Sequence, residues 1–192
     1  MALGERLGDP NIRIIEVSAA QGDSNYRAGH LPGAVWWHWK DALWHATDRE
    51  FATPEEMGNR LGVIGVSPQT TVVLYGDPVQ YATYAFWVLT MCGHPDVRML
   101  DGGRVRWMND GYALSTEVPQ ILSVTYEPVA GDISSRVGRD NVRAGLGTPG
   151  RFLLDVRSPE EYNGERVGGS HTGDHGAERA GRIPGAAHLY YQ

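Results

Sequence analysis

Apolar residues in this chain fall into short runs of four or five, and several of the segments between them carry a helical spacing. Residues 12–17 and about 34–37 read as strands. The segment TPEEMGNRLGVIG at 53–65 follows, with Thr53 as N-cap, Pro54 at the first helical position and Glu56 closing a capping box. Next come the strand TVVLY at 71–75, a helix from about Pro78 to Cys92, the strand VRML at 97–100, and a DGG turn into a short helix around Arg104 to Asp110. Strands alternating with helices imply an α/β fold whose mostly parallel central sheet is flanked by helices on both faces. Residues 117–137 hold two prolines and several Ser, Thr and Gly without a clear period, and read as a linker.

The pattern then begins again. LLDV at 153–156 matches IIEV at 14–17, and ERAGRIPGAAHLYY at 178–191 matches YRAGHLPGAVWW at 26–37. The strands lie 139 residues apart and the PGA glycines, Gly33 and Gly185, 152 apart, so the second copy carries thirteen extra residues between them. Such self-similarity predicts two copies of one domain. The second copy begins near Val137 with the short polar helix GRDNVRAGLG and reaches only two strands by Gln192. A domain of this kind needs roughly 100 residues to bury a core, so either the chain is a fragment or its tail packs onto the first copy.

Composition narrows the function classes. With 41% hydrophobic and 21% charged residues the chain is of ordinary globular make-up. No stretch approaches the roughly 18 apolar residues of a membrane span and the N-terminus lacks an apolar signal core, so a cytoplasmic protein without membrane partners is the expectation. A formal charge of −6 without a basic stripe argues against nucleic acid as a partner. The single cysteine, Cys92, excludes an internal disulfide and any multi-cysteine metal site. All basic residues except Lys40 are arginine, whose planar guanidinium suits oxyanions, although genome composition explains such enrichment equally.

The pieces RAGHLPGA, GHPDVRMLDGGRVRW with Trp107, GRDNVRAGL, LLDVRSPEEYNGE and GRIPGA together resemble the tandem-domain rhodaneses, the thiosulfate sulfurtransferases, over nearly the whole chain. The resemblance implies a non-catalytic rhodanese-like domain at 1–116, a linker at 117–137 and the start of a second, incomplete rhodanese-like domain at 138–192. It also implies sulfur transfer from thiosulfate, or a similar donor, to cyanide or a thiol through a cysteine persulfide, with no cofactor. In that family the nucleophile sits in the turn after the central strand of the second domain. Gly76 and Asp77 occupy the equivalent turn of the first copy, so the nucleophilic cysteine is expected beyond Gln192 and the chain alone is expected to be inactive.

Cys92 does not fill that role in the sequence. With Tyr84, Trp87, Val88 and Met91 it follows a buried helical stripe, and Gly93 reads as the cap beyond it, so burial and the helix C-terminus both raise the thiol pKa. For the sulfur oxyanion the candidates are Arg157, at the carboxyl end of the strand LLDV, and Arg166 and Arg182 in the loops that follow. The alternative is that these arginines pair with Glu160, Glu161, Glu165 or Glu178. Arg182 stands where the first copy has His30. His171, Asp174 and His175 read as a solvated loop in preference to a metal site, and His38 and His45 as part of a tryptophan-rich packing region.

A phosphatase loop is not matched, because the sixth residue after Cys92 is Arg98, across a helix end. The competing function is a non-catalytic rhodanese-like binding module; a third reading has a second chain completing the truncated half.

Overall fold

In a computed structural model, which describes residues 3–47, 50–167 and 179–191, the chain divides into two compact units, residues 1–135 and 136–192. The first unit opens with a 3-10 turn at Leu3–Arg6. It then runs β1 (Ile12–Ser18), α1 (Ser24–Ala28), β2 (Val35–His38), α2 (Trp39–Leu43), α3 (Pro54–Val63), β3 (Thr71–Tyr75), α4 (Gln80–Met91), β4 (Val97–Met99) and α5 (Gly103–Asn109). The strands form one four-stranded, all-parallel sheet in the order β2-β1-β3-β4. The α/β architecture expected from the alternation is therefore present. The strand at 71–75 and the capping box of α3 are also as expected. Thr53 Oγ1 accepts from Glu56 N at 3.2 Å and Glu56 Oε2 accepts from Thr53 N at 2.8 Å, an arrangement that contributes about 1 kcal/mol.

Period-two alternation along the strands builds two cores. Ile15, Val17, Val35, Trp37, Val72 and Leu74 face one side, against Met57 and Leu61 of α3 and Ala82, Ala85, Val88 and Leu89 of α4. Ile12, Ile14, Val73 and Tyr75 face the other, against Leu31, Ala34 and Trp107 of α5. The tryptophan-rich segment packs as expected. Trp39 meets Trp44 and Tyr84 edge-on with centroids 5.2 and 5.7 Å apart, and Phe51 meets Trp87 at 5.1 Å.

The helix expected from Pro78 begins at Gln80, because Pro78 and Val79 stay in the turn that lifts the chain off β3. β4 ends at Met99, one residue short of expectation, and Leu100 instead donates its N–H to Leu74 O at 2.8 Å on the way into the DGG turn.

Residues 117–135 have no regular secondary structure, in keeping with their composition, yet they form a strap over the first unit. Val124 N donates to Gly62 O at 2.9 Å, Asp132 N to Met91 O at 2.9 Å, and Trp87 Nε1 to Ser135 Oγ at 3.0 Å. Tyr126 enters the core beside α3. Its hydroxyl donates to His94 Nδ1 at 3.0 Å, while His94 Nε2 donates to Thr70 O at 2.9 Å, so the buried ring is satisfied as the neutral tautomer.

Burial lowers the pKa of His94 below its ordinary value. The unfolded chain therefore takes up this proton at a higher pH than the folded one, and stability is lost as pH falls from about 6.5 through the folded pKa. Urea unfolding at pH 7.5 and 5.5 is expected to show a smaller acid loss for His94→Gln than for the wild type. An equal loss in both removes His94 as a cause.

The second unit contains α6 (Arg139–Gly145), β5 (Leu154–Asp155), α7 (Pro159–Asn163) and β6 (Ala187–His188), with β5 and β6 paired in parallel. LLDV keeps only two strand residues, since β6 is the one strand paired with β5 among the described residues and Leu154 and Val156 are about half exposed. Ser158 caps α7 in a box with Glu161, the same device that starts α3.

Candidate functional site

In an open parallel sheet, ligands are met beyond the carboxyl ends of the strands. In the first unit that place is the turn from β3 to α4. Gly76 lets this turn pass against β1, since a Cβ there would lie 2.6 Å from Val17 O. Asp77 follows, exposed, ahead of the twelve-residue α4, where the helix dipole favours a carboxylate. The turn holds no sulfur, so nothing in it is nucleophilic in the manner of a thiolate.

Beneath the turn lies a buried polar group that the sequence pattern does not reveal. Glu16 and Tyr75 are register partners on β1 and β3, on the face shared with Trp107. The Tyr75 hydroxyl donates to Glu16 Oε2 and accepts from Leu31 N at 3.1 Å. Arg104, at the start of α5, donates through Nη2 to both Glu16 oxygens at 2.7 Å. Burial and the neighbouring carboxylate push the Tyr75 pKa up, so the phenol stays protonated and the charge pair is Glu16 with Arg104. The cluster ties β1, β3, α5 and the PGA turn together. His30, buried in that turn, places Nδ1 2.8 Å from Tyr26 O and Nε2 3.0 Å from Glu117 O, which joins the turn to the strap.

Cys92 lies at the opposite end of α4. The residue is 9% exposed, and its thiol sits 3.7 Å from Ala52 O and is pushed up in pKa by burial, partly offset by Arg60. Both its place and its ionisation set it apart from an attacking thiolate.

The three candidate arginines come together in the second unit. Arg157 holds Asp155 with Nε and Nη2, at 3.0 and 2.6 Å, and donates from Nη2 to Gly181 O at 2.9 Å. His188 Nε2 meets Arg157 O at 2.8 Å. Arg157 thus locks the strand end to the returning loop. Hydrogen bonds from Arg157 hold the Asp155 carboxylate below its ordinary pKa.

Arg166 donates to Ser158 Oγ at 2.7 Å and lies 3.8 Å from both Glu160 and Glu161. Arg182 is exposed, stacks on the Tyr162 ring at 4.5 Å and donates one bond to Tyr162 O at 3.4 Å. The acidic partners weighed for Arg166 are therefore present. Glu178, His171, Asp174 and His175 lie outside the described residues. Among the described residues no group of three metal-ligating side chains occurs, and no helix is long and apolar enough to cross a membrane.

Residues 2–110 match the family model of the rhodanese-like domain. The chain is 40% identical over 193 residues to the sulfur carrier protein TtuD of Thermus thermophilus, covering 96% of this chain and 66% of that protein. It is 38% identical to the putative thiosulfate sulfurtransferase SseA of Mycobacterium tuberculosis, covering 97% and 62%, and 38% identical to a putative thiosulfate sulfurtransferase of Saccharopolyspora erythraea, covering 85% and 58%. The chain thus spans less than two thirds of the length of these relatives. Among solved structures, wild-type EanB superposes with a TM-score of 0.78 at 28% identity, over 93% of this chain and 44% of that one. An anaerobic ergothioneine biosynthesis enzyme from Chlorobium limicola, in complex with its natural substrate trimethyl histidine, matches equally well, over 93% and 45%.

Proposed function

The chain belongs to the rhodanese family, and from that premise we propose that it is part of a thiosulfate sulfurtransferase. The observation that carries the reading is its likeness, over almost all of its own length, to relatives named as thiosulfate sulfurtransferases and a sulfur carrier. In the proposed reaction a thiolate attacks the outer sulfur of thiosulfate, the S–S bond breaks and sulfite leaves; cyanide or a thiol then takes the sulfur from the resulting persulfide. Such chemistry uses the thiols of a reducing cytoplasm and needs no cofactor.

The sulfur-carrying cysteine in this proposal is not Cys92. It belongs to the part of the relatives' length that this chain does not span, within a tandem arrangement in which 1–116 is the non-catalytic copy and 138–192 begins the second. The turn at Gly76 and Asp77, which offers no thiol, supports that division of labour. Of the arginines proposed to bind the donor, Arg182 has the most donors left for an oxyanion, while Arg166 and Arg157 orient the loops around it.

Intact mass after incubation with thiosulfate tests this. The 192-residue chain is expected to stay at 21.1 kDa without added sulfur, whereas a protein extended to the relatives' length gains one sulfur atom that a reductant removes. An adduct on the 192-residue chain overturns the exclusion of Cys92. No adduct on the extended protein favours the binding-module reading.

A further inference from the structure

At the edge of the sheet, the last residues of β2 with α2 and the end of α3 line a cleft of about 290 Å³, a volume suited to one small ring-bearing molecule. Its walls include Trp36, Val63 and Ile64, and Val63 is 69% exposed, so apolar surface stands open to water there. Arg60 also lines it. Its Nη1 donates to Ala42 O at 2.9 Å and to Trp44 O at 2.8 Å, which fixes the guanidinium in place. Nε and Nη2 of Arg60 have no hydrogen-bond partner among the described residues. A held guanidinium with donors to spare, beside an indole and two aliphatic side chains, matches a planar carboxylate on an apolar body.

Two further groups line the cleft. His38 is 4% exposed, and its buried Nδ1 faces Asp41 Oδ2 at 2.9 Å. Asp41 is 80% exposed and is the lining group that opposes an anion.

We propose that this cleft is a binding site for a small aromatic or branched aliphatic monocarboxylate, with the carboxylate on Arg60 and the apolar body against Trp36, Val63 and Ile64. No residue of the proposed sulfur-transfer chemistry lines the cleft, so the site stands or falls apart from that function.

Saturation-transfer NMR on the full chain, with benzoate as probe and benzyl alcohol as its uncharged counterpart, tests the proposal. Benzoate is expected to bind, and benzyl alcohol about tenfold more weakly, the range of a lost charge-assisted hydrogen bond. Arg60→Met is expected to bring benzoate down to the level of the alcohol. Because Arg60 also caps two carbonyls, two surface variants accompany it: Val63→Glu is expected to weaken benzoate several-fold and Asp41→Asn to strengthen it, in opposite directions as the charges require. No benzoate signal, equal binding of the alcohol, or affinities that ignore both surface variants each overturn the proposal.

Discussion

Glu16→Ala is expected to lower the stability of the first unit by about 3 kcal/mol or more. The substitution leaves Arg104 beside the gap with its charge uncompensated, and strips the Tyr75 hydroxyl of its acceptor. Breaking a buried pair by removing one partner costs more than the pair itself contributes, because the remaining ion stays desolvated. Arg104 offers little escape, with 16% of its side chain exposed. Urea unfolding followed by tryptophan fluorescence isolates the effect, since all six tryptophans lie between residues 36 and 107. The double replacement Glu16→Met with Arg104→Met removes both charges and is expected to cost clearly less than the sum of the single changes. A loss below about 1 kcal/mol for Glu16→Ala would mean that Arg104 finds water and that the cluster is not what ties β1 to α5.

Gly93→Ala is expected to cost at least about 2 kcal/mol, from two separate causes. The backbone there has φ +87°, which an alanine adopts only with strain, and the new Cβ would stand 2.6 Å from Ala130 O, a backbone atom that cannot rotate away. Gly8→Ala separates the two. Its φ is +83° but nothing lies within 4 Å of the added carbon, so it is expected to cost only the conformational part, about 1 kcal/mol. The collision acts on the strap, so hydrogen exchange at the Asp132 amide, bonded to Met91 O, is expected to quicken in Gly93→Ala and not in Gly8→Ala. Equal costs for the two variants would mean that the strap yields freely at Ala130.

What the sequence makes legible is whatever depends on near neighbours. Thr53, Pro54 and Glu56 announce the start of α3 within four residues, and TVVLY carries enough apolar, β-branched character to be read as a buried strand. Cys92 is placed by its spacing from Val88 and Gly93, so its burial follows from helix geometry alone. Glu16 is different. Period two puts it on the buried face of Ile12 and Ile14, but the partners that satisfy it there, Tyr75 across the sheet and Arg104, 88 residues later, lie too far along the chain to be read from IIEV.

The strap is hidden for a similar reason. Its own composition is that of a linker, and its docking is written in Gly62, Gly93 and His94, which lie in α3 and just after α4. For Arg157 the sequence marks the position beyond the strand but not the occupation of the guanidinium by Asp155. The cleft beside Arg60 has no local signal, because its walls come from α3, α2 and the edge of β2.

The strap also bears on how the chain can be cut. The match to the rhodanese-like domain model ends at residue 110, but the backbone that seals α3 and α4 continues to Ser135. A piece stopped at 110 gives up the Tyr126 ring and the partners of the Gly62 and Met91 carbonyls, and leaves a helix face shaped to receive a main chain bare to solvent. Such a face offers other molecules an apolar seat, so the shortened piece is an invitation to aggregation. The place to end an expressed first half is the exposed run just beyond Ser135, where the chain has finished covering its own helices.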